Sequence, residues 1–434
     1  MSELAIFGGP QTVQEPMPQW PTVFPEDVAA VEEALRKSAE DKSNLTSAAG
    51  GGPVAQFEKS LQVAFDARHA VATSSGWASL HTALMAVGIE AGDEVIVPPY
   101  TWGQSVSCIL HQLAIPVFAD IDRDTYTLDA SSVEARITRF TRAIMVVHLY
   151  GQPADMAPIL AVARRHGLAV IEDCAQAAGA RYRGEAVGTL GDVGCFSIGD
   201  GKQMIGGEGG FLLTNSAALY ERALLVGQHP ARQQRELKDE FLRRQGDSLI
   251  FTYRIHPLAA VLCNSQLGHL DEWNADRRRN FARLSQGLAE VDAVRPVVVP
   301  EWAEHAYHMY SPSFVAEAAP GVTREAFVQA VRAEGVPLSS GYVKRPIHLW
   351  PRIQQQRYVY GRNLPWSLAH RPVEYRAGDC PVAERRCAEE ELGMGGAAWI
   401  GDCSAAMDQV VEAFQKVGSA LERLRTRAGA MSRI

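Results

Sequence analysis

The sequence predicts an α/β fold: a large part with a mostly parallel central sheet flanked by helices, followed by a smaller C-terminal α/β part. Three observations predict it. Between about residues 70 and 176, short apolar runs alternate with amphipathic stretches of helical period. The runs are apolar nearly throughout, not at every second position, which marks strands buried on both faces. The chain, at 434 residues, is long enough for one large core and a second, smaller one.

Each element follows in order. Residues 1–24 carry Pro10, Pro16, Pro18 and Pro21 between short apolar pieces; they read as an extended arm lying on a partner subunit. Pro25-Glu26-Asp27 opens a helix to about Arg36, with a proline and acids in its first turn. After the loop Ala48–Pro53, a second amphipathic helix covers about Val54–Phe65. The alternation then begins: HAVATSSG, EVIVPP, IPVFAD, TRAIMVVHLYG and LAVIEDCAQ are strands, with helices between them. GCFSIGDGKQMIGGEGGFLLTN reads as strand, tight loop, strand. Residues 216–227 are helical. Residues 228–248 are so polar that they read as a mobile surface segment or interface loop. A long helix is expected from Pro257 to about Leu288, with Arg277, Arg278 and Arg279 on a solvated face. Beyond it lie a strand at about Tyr307–Val315, a helix after Thr323, an irregular stretch over 351–395, and a closing helix near Ala405–Arg423. The expected division is an arm (1–24), a large domain (25–290), a small domain (291–425) and an unstructured tail (426–434).

Composition narrows the function classes. A formal net charge of −8 argues against a nucleic-acid partner, which calls for a basic stripe. The seven cysteines are scattered with no CxxC pair, which suits a reducing cytoplasm better than a disulfide framework. The N-terminal stretch has no basic region followed by a long apolar run, so no signal peptide is expected. No window reaches the apolar length of a membrane span.

In parallel sheets, chemistry gathers at the carboxyl ends of strands, beside helix N-termini. That rule groups Ser74–Trp77, Pro98–Trp102, His148, Glu172–Gln176 and the Lys202 loop around one crevice. Five glycines in Gly201–Gly210 let the backbone pass close to a ligand. A lysine held there and desolvated loses proton affinity and becomes a usable amine nucleophile; the alternative is a flexible loop with an incidental lysine. Ser75-Gly76-Trp77 combines a hydroxyl, free amides and a helix dipole into a phosphate cradle, or is an ordinary turn and cap. Pro99-Tyr100-Thr101-Trp102 places two aromatics at the next strand end, and one of them offers a ring face, or is buried under the following helix. The acidic pair Glu172-Asp173 ends a buried strand and needs a partner: a pyridinium N–H, an arginine or a metal. A metal would want more ligands nearby, and only His148 and Gln176 stand close, so the residues point away from one. Ser197 ends its own strand before Lys202 and can donate to the same phosphate as Ser75. A lysine, an acid, a stacking ring and a phosphate cup together are what pyridoxal 5′-phosphate requires.

The blocks SSGWASLHTAL, GDEVIVPPYTW, VHLYGQPADM, VIEDCAQAAGA, GDVGCFSIGDGK and GGEGGFLLTN, in this order and spacing, resemble the DegT/StrS-type sugar aminotransferases, which are fold type I pyridoxal-phosphate enzymes. The resemblance spans most of residues 10–425. It implies that Lys202 is the Schiff-base lysine and Asp173 the partner of the pyridine nitrogen. Gln176 then lies against the cofactor, and Trp102 stacks on its ring. Ser75, Gly76, Trp77 and Ser197 hold the phosphate. It further implies a homodimer with shared active sites. The run Gly199-Asp200-Gly201-Lys202 is similar to the scyllo-inosose aminotransferases of aminoglycoside pathways and to aminohydroxybenzoate synthases. The acceptor implied is a keto-cyclitol or keto-sugar, with glutamine or glutamate as donor. Tyr342 and His348, in GYVKRPIHLWP, resemble the family's substrate-side segment, and Arg254 is a candidate for the site or a donor carboxylate. Two departures stand out: Thr252 where the family usually has asparagine, and His256-Pro257 after Arg254. A dehydratase/aromatase of the aminohydroxybenzoate type and a non-catalytic regulator are the competing readings.

Overall fold

In a computed structural model, the structure describes residues 3–41, 45, 49–247, 249–358 and 362–431, the last five by backbone alone. The central sheet has seven strands: β1 (His69–Thr73), β2 (Glu94–Val97), β3 (Ile115–Phe118), β4 (Thr141–Val147), β5 (Ala169–Asp173), β6 (Val193–Ser197) and β7 (Gly210–Thr214). Their spatial order is β1-β7-β6-β5-β4-β2-β3. The pairs from β6 across to β3 are parallel, as the apolar runs predict. Only β7 runs antiparallel, to both β1 and β6. Parallel neighbours need crossovers: α4 (Gln104–His111) joins β2 to β3 and α6 (Met156–His166) joins β4 to β5, while α3 (Gly76–Ala86) and α5 (Ala130–Arg136) link β1 to β2 and β3 to β4. The β6–β7 pair needs only a loop, and that loop carries Lys202. The register lines up the strand ends: Ser197 faces Gly210, Gly210 faces Thr73, and Asp173 faces Cys195.

Both faces of the sheet are covered. On β4, Ile144 and Val146 enter one core, while Ala143, Met145 and Val147 enter the other. On β7, Phe211 and Leu213 go one way and Leu212 the other. The first core stacks Phe196 on Phe211 with ring centroids 4.5 Å apart, and α2 (Gly52–Ala64) closes it with Phe57 and Leu61. A third core gathers Phe314, Phe327, Val331, Trp399, Met407 and Phe414 around Phe281 and Leu284. Val343, Ile347 and Trp366 leave that third core and pack on the sheet instead.

Several expectations need correction. The arm packs on its own chain: Leu4 and Val13 are buried in the third core, and the Ala5 N–H and Thr12 hydroxyl donate to Glu334. Helix α1 (Pro25–Glu40) runs a turn further than expected. The polar segment 228–248 is not a loose loop. After α7 (Ala217–Gly227), it forms α8 (Pro230–Glu236) and α9 (Glu240–Gln245), pinned by the buried Arg232, which donates to both oxygens of Glu58 at 2.9 and 2.7 Å. The long helix is two, α10 (Pro257–Leu267) and α11 (Leu270–Leu288), separated at Gly268-His269. Arg277 is fully buried, whereas Arg279 is exposed and pairs with Asp276. The strand expected at 307–315 is two short pieces, Met309–Tyr310 and Ser313–Phe314. The closing helix is Ser404–Gly418, and a second helix, Leu421–Met431, occupies most of the stretch expected to be an unstructured tail; residues 432–434 lie outside the described ones. Among the described residues, no helix is long and apolar enough to cross a membrane.

Candidate active site

The strand ends open into a cleft of about 550 Å³ lined by Ser75, Gly76, Trp77, Trp102, Asp173, Gln176, Ser197, Lys202 and Tyr342. Residues from five separate stretches of sequence therefore meet there. A neighbouring cavity of about 580 Å³ is walled by Leu110, Ile347, Trp350 and Tyr358. It holds no amine or carboxylate and shares only Trp102 and Gln104 with the cleft.

Lys202 stands in the turn between β6 and β7, just after Gly201 at φ +77°, a left-handed conformation that favours glycine. Burial lowers the proton affinity of its amine, and the Asp173 carboxylate partly opposes that shift. The cause is desolvation of the charged form, the condition that frees an amine lone pair for attack on a carbonyl.

Asp173 ends β5 and is buried. Its Oδ2 accepts from Ser105 Oγ at 2.7 Å and its Oδ1 from the Ala175 N–H at 3.1 Å. Burial nevertheless pushes its carboxyl pKa up, against those bonds and the charge of Lys202. A cationic ring N–H brought against this oxygen pair would restore its ionisation.

The other pole suits a phosphate. Ser75 caps α3, its Oγ accepting from the Ala78 N–H at 3.1 Å, which leaves the hydroxyl proton free. The amides of Gly76 and Trp77 open the helix without an intrahelical acceptor. A Cβ on Gly76 would come 2.8 Å from the Ser197 Cβ, so only glycine lets the two backbones close into a cup. Between the poles, Trp102 lies half-exposed with its ring centroid 5.3 Å from Tyr342. Gln176 is fixed by the Tyr150 N–H, which donates to its Oε1 at 2.7 Å, and its Nε2 donates to the Tyr342 hydroxyl at 3.4 Å. The donor set fits a small planar ring with a phosphate at one end and a cationic nitrogen at the other.

Three expected residues stand elsewhere. His148 is fully buried: its Nδ1 accepts from the Ala154 N–H at 3.0 Å, which leaves the proton on Nε2 to be donated to Glu172 at 2.9 Å. It cannot touch a substrate. Glu172 and Cys174 complete the one trio of potential ligands among the described residues. Glu172 already accepts from the amides of Gly188, Leu190 and Gly191, so its carboxylate is spent on holding that turn. His348 is also buried, bonded through Nε2 to Glu384 at 3.0 Å beside a different, polar cavity. Arg254 bridges Thr73 through its backbone and is not among the cleft-lining residues. Sequence reasoning missed Ser105, the residue that aims Asp173. Its only signal was a hydroxyl in the first turn of the helix after Pro99-Tyr100-Thr101-Trp102.

The chain resembles known aminotransferases in sequence and in fold. The L-glutamine:2-deoxy-scyllo-inosose aminotransferase of Micromonospora echinospora is 34% identical, over 98% of this chain and 100% of that protein. An aminotransferase structure from Psychrobacter cryohalolentis superposes with a TM-score of 0.81 at 28% identity, covering 94% of this chain and 100% of that one. 3-Amino-5-hydroxybenzoic acid synthase superposes with a TM-score of 0.77 at 26% identity, over 94% and 100% of the two chains. The fold is therefore that of the fold type I transferases. The model of the DegT/DnrJ/EryC1/StrS aminotransferase family matches residues 26–372, and the chain belongs to that family.

Proposed function

We propose that the chain is a pyridoxal 5′-phosphate-dependent aminotransferase that takes an amino group from glutamine or glutamate and delivers it to a keto-cyclitol or keto-sugar. One observation carries the reading: a desolvated amine, Lys202, and a buried carboxylate, Asp173, face one cleft whose far end is a glycine-lined anion cup. When bound, the cofactor supplies an electron sink for the donor's α-carbon. Lys202 would hold its aldehyde and is the amine placed to move the donor's α-proton as a general base. Asp173, aimed by Ser105, would hold the proton on the ring nitrogen. Ser75, Ser197 and the amides of Gly76 and Trp77 would hold the phosphate, Trp102 would stack on the ring, and Gln176 would lie against the cofactor face or its 3-oxygen.

Support for the substrate class comes from the name of the Micromonospora echinospora relative, which specifies a glutamine donor and a 2-deoxy-scyllo-inosose acceptor. Aminoglycoside or related secondary-metabolite biosynthesis is the setting this suggests. The likeness to 3-amino-5-hydroxybenzoic acid synthase supports a second reading, loss of water from a ring on the same lysine. We also read the chain as a cytoplasmic homodimer divided into an arm, a large domain (25–290) and a small domain (291–425). Leu249 and Phe251 are exposed beside Tyr253, whose ring lies 6.1 Å from Trp77 at the phosphate end of the cleft. A second copy would cover that edge, where Thr252 and Arg254 also lie.

The test is spectroscopic. Glutamine should bleach the visible band of the loaded protein, and 2-deoxy-scyllo-inosose should restore it while an aminocyclitol accumulates. No change with any amino acid in a broad panel would overturn the reading. An aromatic product instead of an aminocyclitol would favour the second one.

A further inference from the structure

The loop carrying Lys202 makes few bonds of its own. Its glycines leave it soft, and the Lys202 N–H reaches Gly199 O only at 3.3 Å. What fixes it comes from outside, in part at two successive carbonyls. The Trp20 indole N–H donates to the Lys202 carbonyl at 2.8 Å. Arg277 donates to the Gln203 carbonyl at 3.3 Å. Further along, the Ile205 N–H donates to Gln266 Oε1 at 2.9 Å. The two carbonyl donors come from distant segments: the N-terminal arm and the long helix α11.

The donors also hold one another. The Arg277 guanidinium lies 5.5 Å over the Trp20 ring, and that ring meets Trp273 edge-on at 5.8 Å. Arg277 is buried and, among the described residues, has no carboxylate in an ion pair with it. Its other bonds go to the Ala397 carbonyl at 3.0 and 2.8 Å and to Asn274 Oδ1 at 2.8 Å. A buried cation satisfied by carbonyls gives a rigid seat, since each bond is charge-assisted and directional. The arm that brings Trp20 is anchored upstream on Glu334 and downstream by the Thr22 carbonyl, which accepts from Gln266 at 3.1 Å.

We propose that Trp20 is a positioning residue for Lys202: the N-terminal arm, by donating to the carbonyl of the lysine itself, sets the direction in which the amine enters the cleft, with Arg277 bracing the next carbonyl. The arm is then part of the active site although no arm residue lines the cleft. This rests on Lys202 being the cofactor-bearing amine, as proposed above. A displacement of about 1 Å at a reacting group costs up to roughly a hundredfold in rate, so a single backbone bond at this residue has leverage.

The experiment replaces Trp20 by phenylalanine and, separately, by benzothienylalanine, which keeps the shape of the indole but has no N–H. Two readouts are taken. One is the acetylation rate of Lys202 relative to other lysines in cofactor-free protein, by competitive labelling and mass spectrometry. The other is kcat and KM of the glutamine half-reaction in loaded protein. Both variants should shift the Lys202 labelling ratio and lower kcat by about tenfold to a hundredfold with little change in KM. Parent-like labelling and kcat in the benzothienylalanine protein would overturn the proposal, even if Trp20→Phe fails to fold. Absence of a cofactor link on Lys202 in the parent would instead sink the functional reading.

Discussion

Ser105 Oγ donates to Asp173 Oδ2 at 2.7 Å, from the first turn of α4 to the last residue of β5. With the Ala175 N–H on the other oxygen, the carboxylate is aimed before any ligand arrives. It remains a buried acid whose pKa is raised by burial. A folded-state value above the unfolded one means that the group stabilises the cofactor-free chain only at low pH. That contribution is lost as pH rises through the folded value. Asp173→Asn should therefore raise the melting temperature of cofactor-free protein at neutral pH, with the gain shrinking in acid. The same change should weaken pyridoxal phosphate binding at least about tenfold, because a charge-assisted bond is worth ~1.5–3 kcal/mol. Calorimetry with and without cofactor checks both signs.

Gly76 sits where a Cβ would come 2.8 Å from the Ser197 Cβ and 3.3 Å from the Phe196 carbonyl. Gly76→Ala should cost about 1–3 kcal/mol of stability by overpacking. It should also loosen the phosphate cup, seen as a weaker cofactor affinity in a fluorescence titration. Unchanged affinity would mean that the phosphate binds elsewhere.

Glu58 and Arg232 form a bidentate pair, both buried, with the Ala72 N–H also donating to Glu58 Oε1 at 2.8 Å. Burial pushes the Glu58 carboxyl pKa up, and the Arg232 guanidinium opposes that shift. Glu58→Ala removes the bidentate partner of a buried cation, leaving it Glu236 at 3.1 Å, and should destabilise the protein by about 3 kcal/mol in urea denaturation, the lower end for a broken buried pair. A loss near zero would show that α8 is not held through this pair.

That pair also shows where the sequence stopped being readable. Segment 228–248 is rich in charge, and charge normally means solvent. Arg232 escapes the rule because its partner lies 174 positions away, a distance no local pattern spans. Arg277 misleads in the same way: it sits in a run of three arginines, yet its guanidinium is buried and hydrogen-bonded to the Ala397 carbonyl. The parallel sheet, by contrast, was legible because strands buried on both faces are apolar throughout, as Ile144 and Met145 show on opposite faces. Lys202 and Asp173 were legible because glycine density and an acid at a strand end are local signals. Ser105 and Trp20 carry ordinary local patterns, and only the tertiary structure brings them to the site.

The central claim is that the Lys202 amine carries the cofactor. Borohydride reduction of the loaded protein, digestion and peptide mass analysis test it most directly. The account predicts one pyridoxyl adduct on the peptide containing Lys202, absent in Lys202→Ala together with turnover. An adduct on another lysine, or none on a protein that still transfers amino groups, would contradict it.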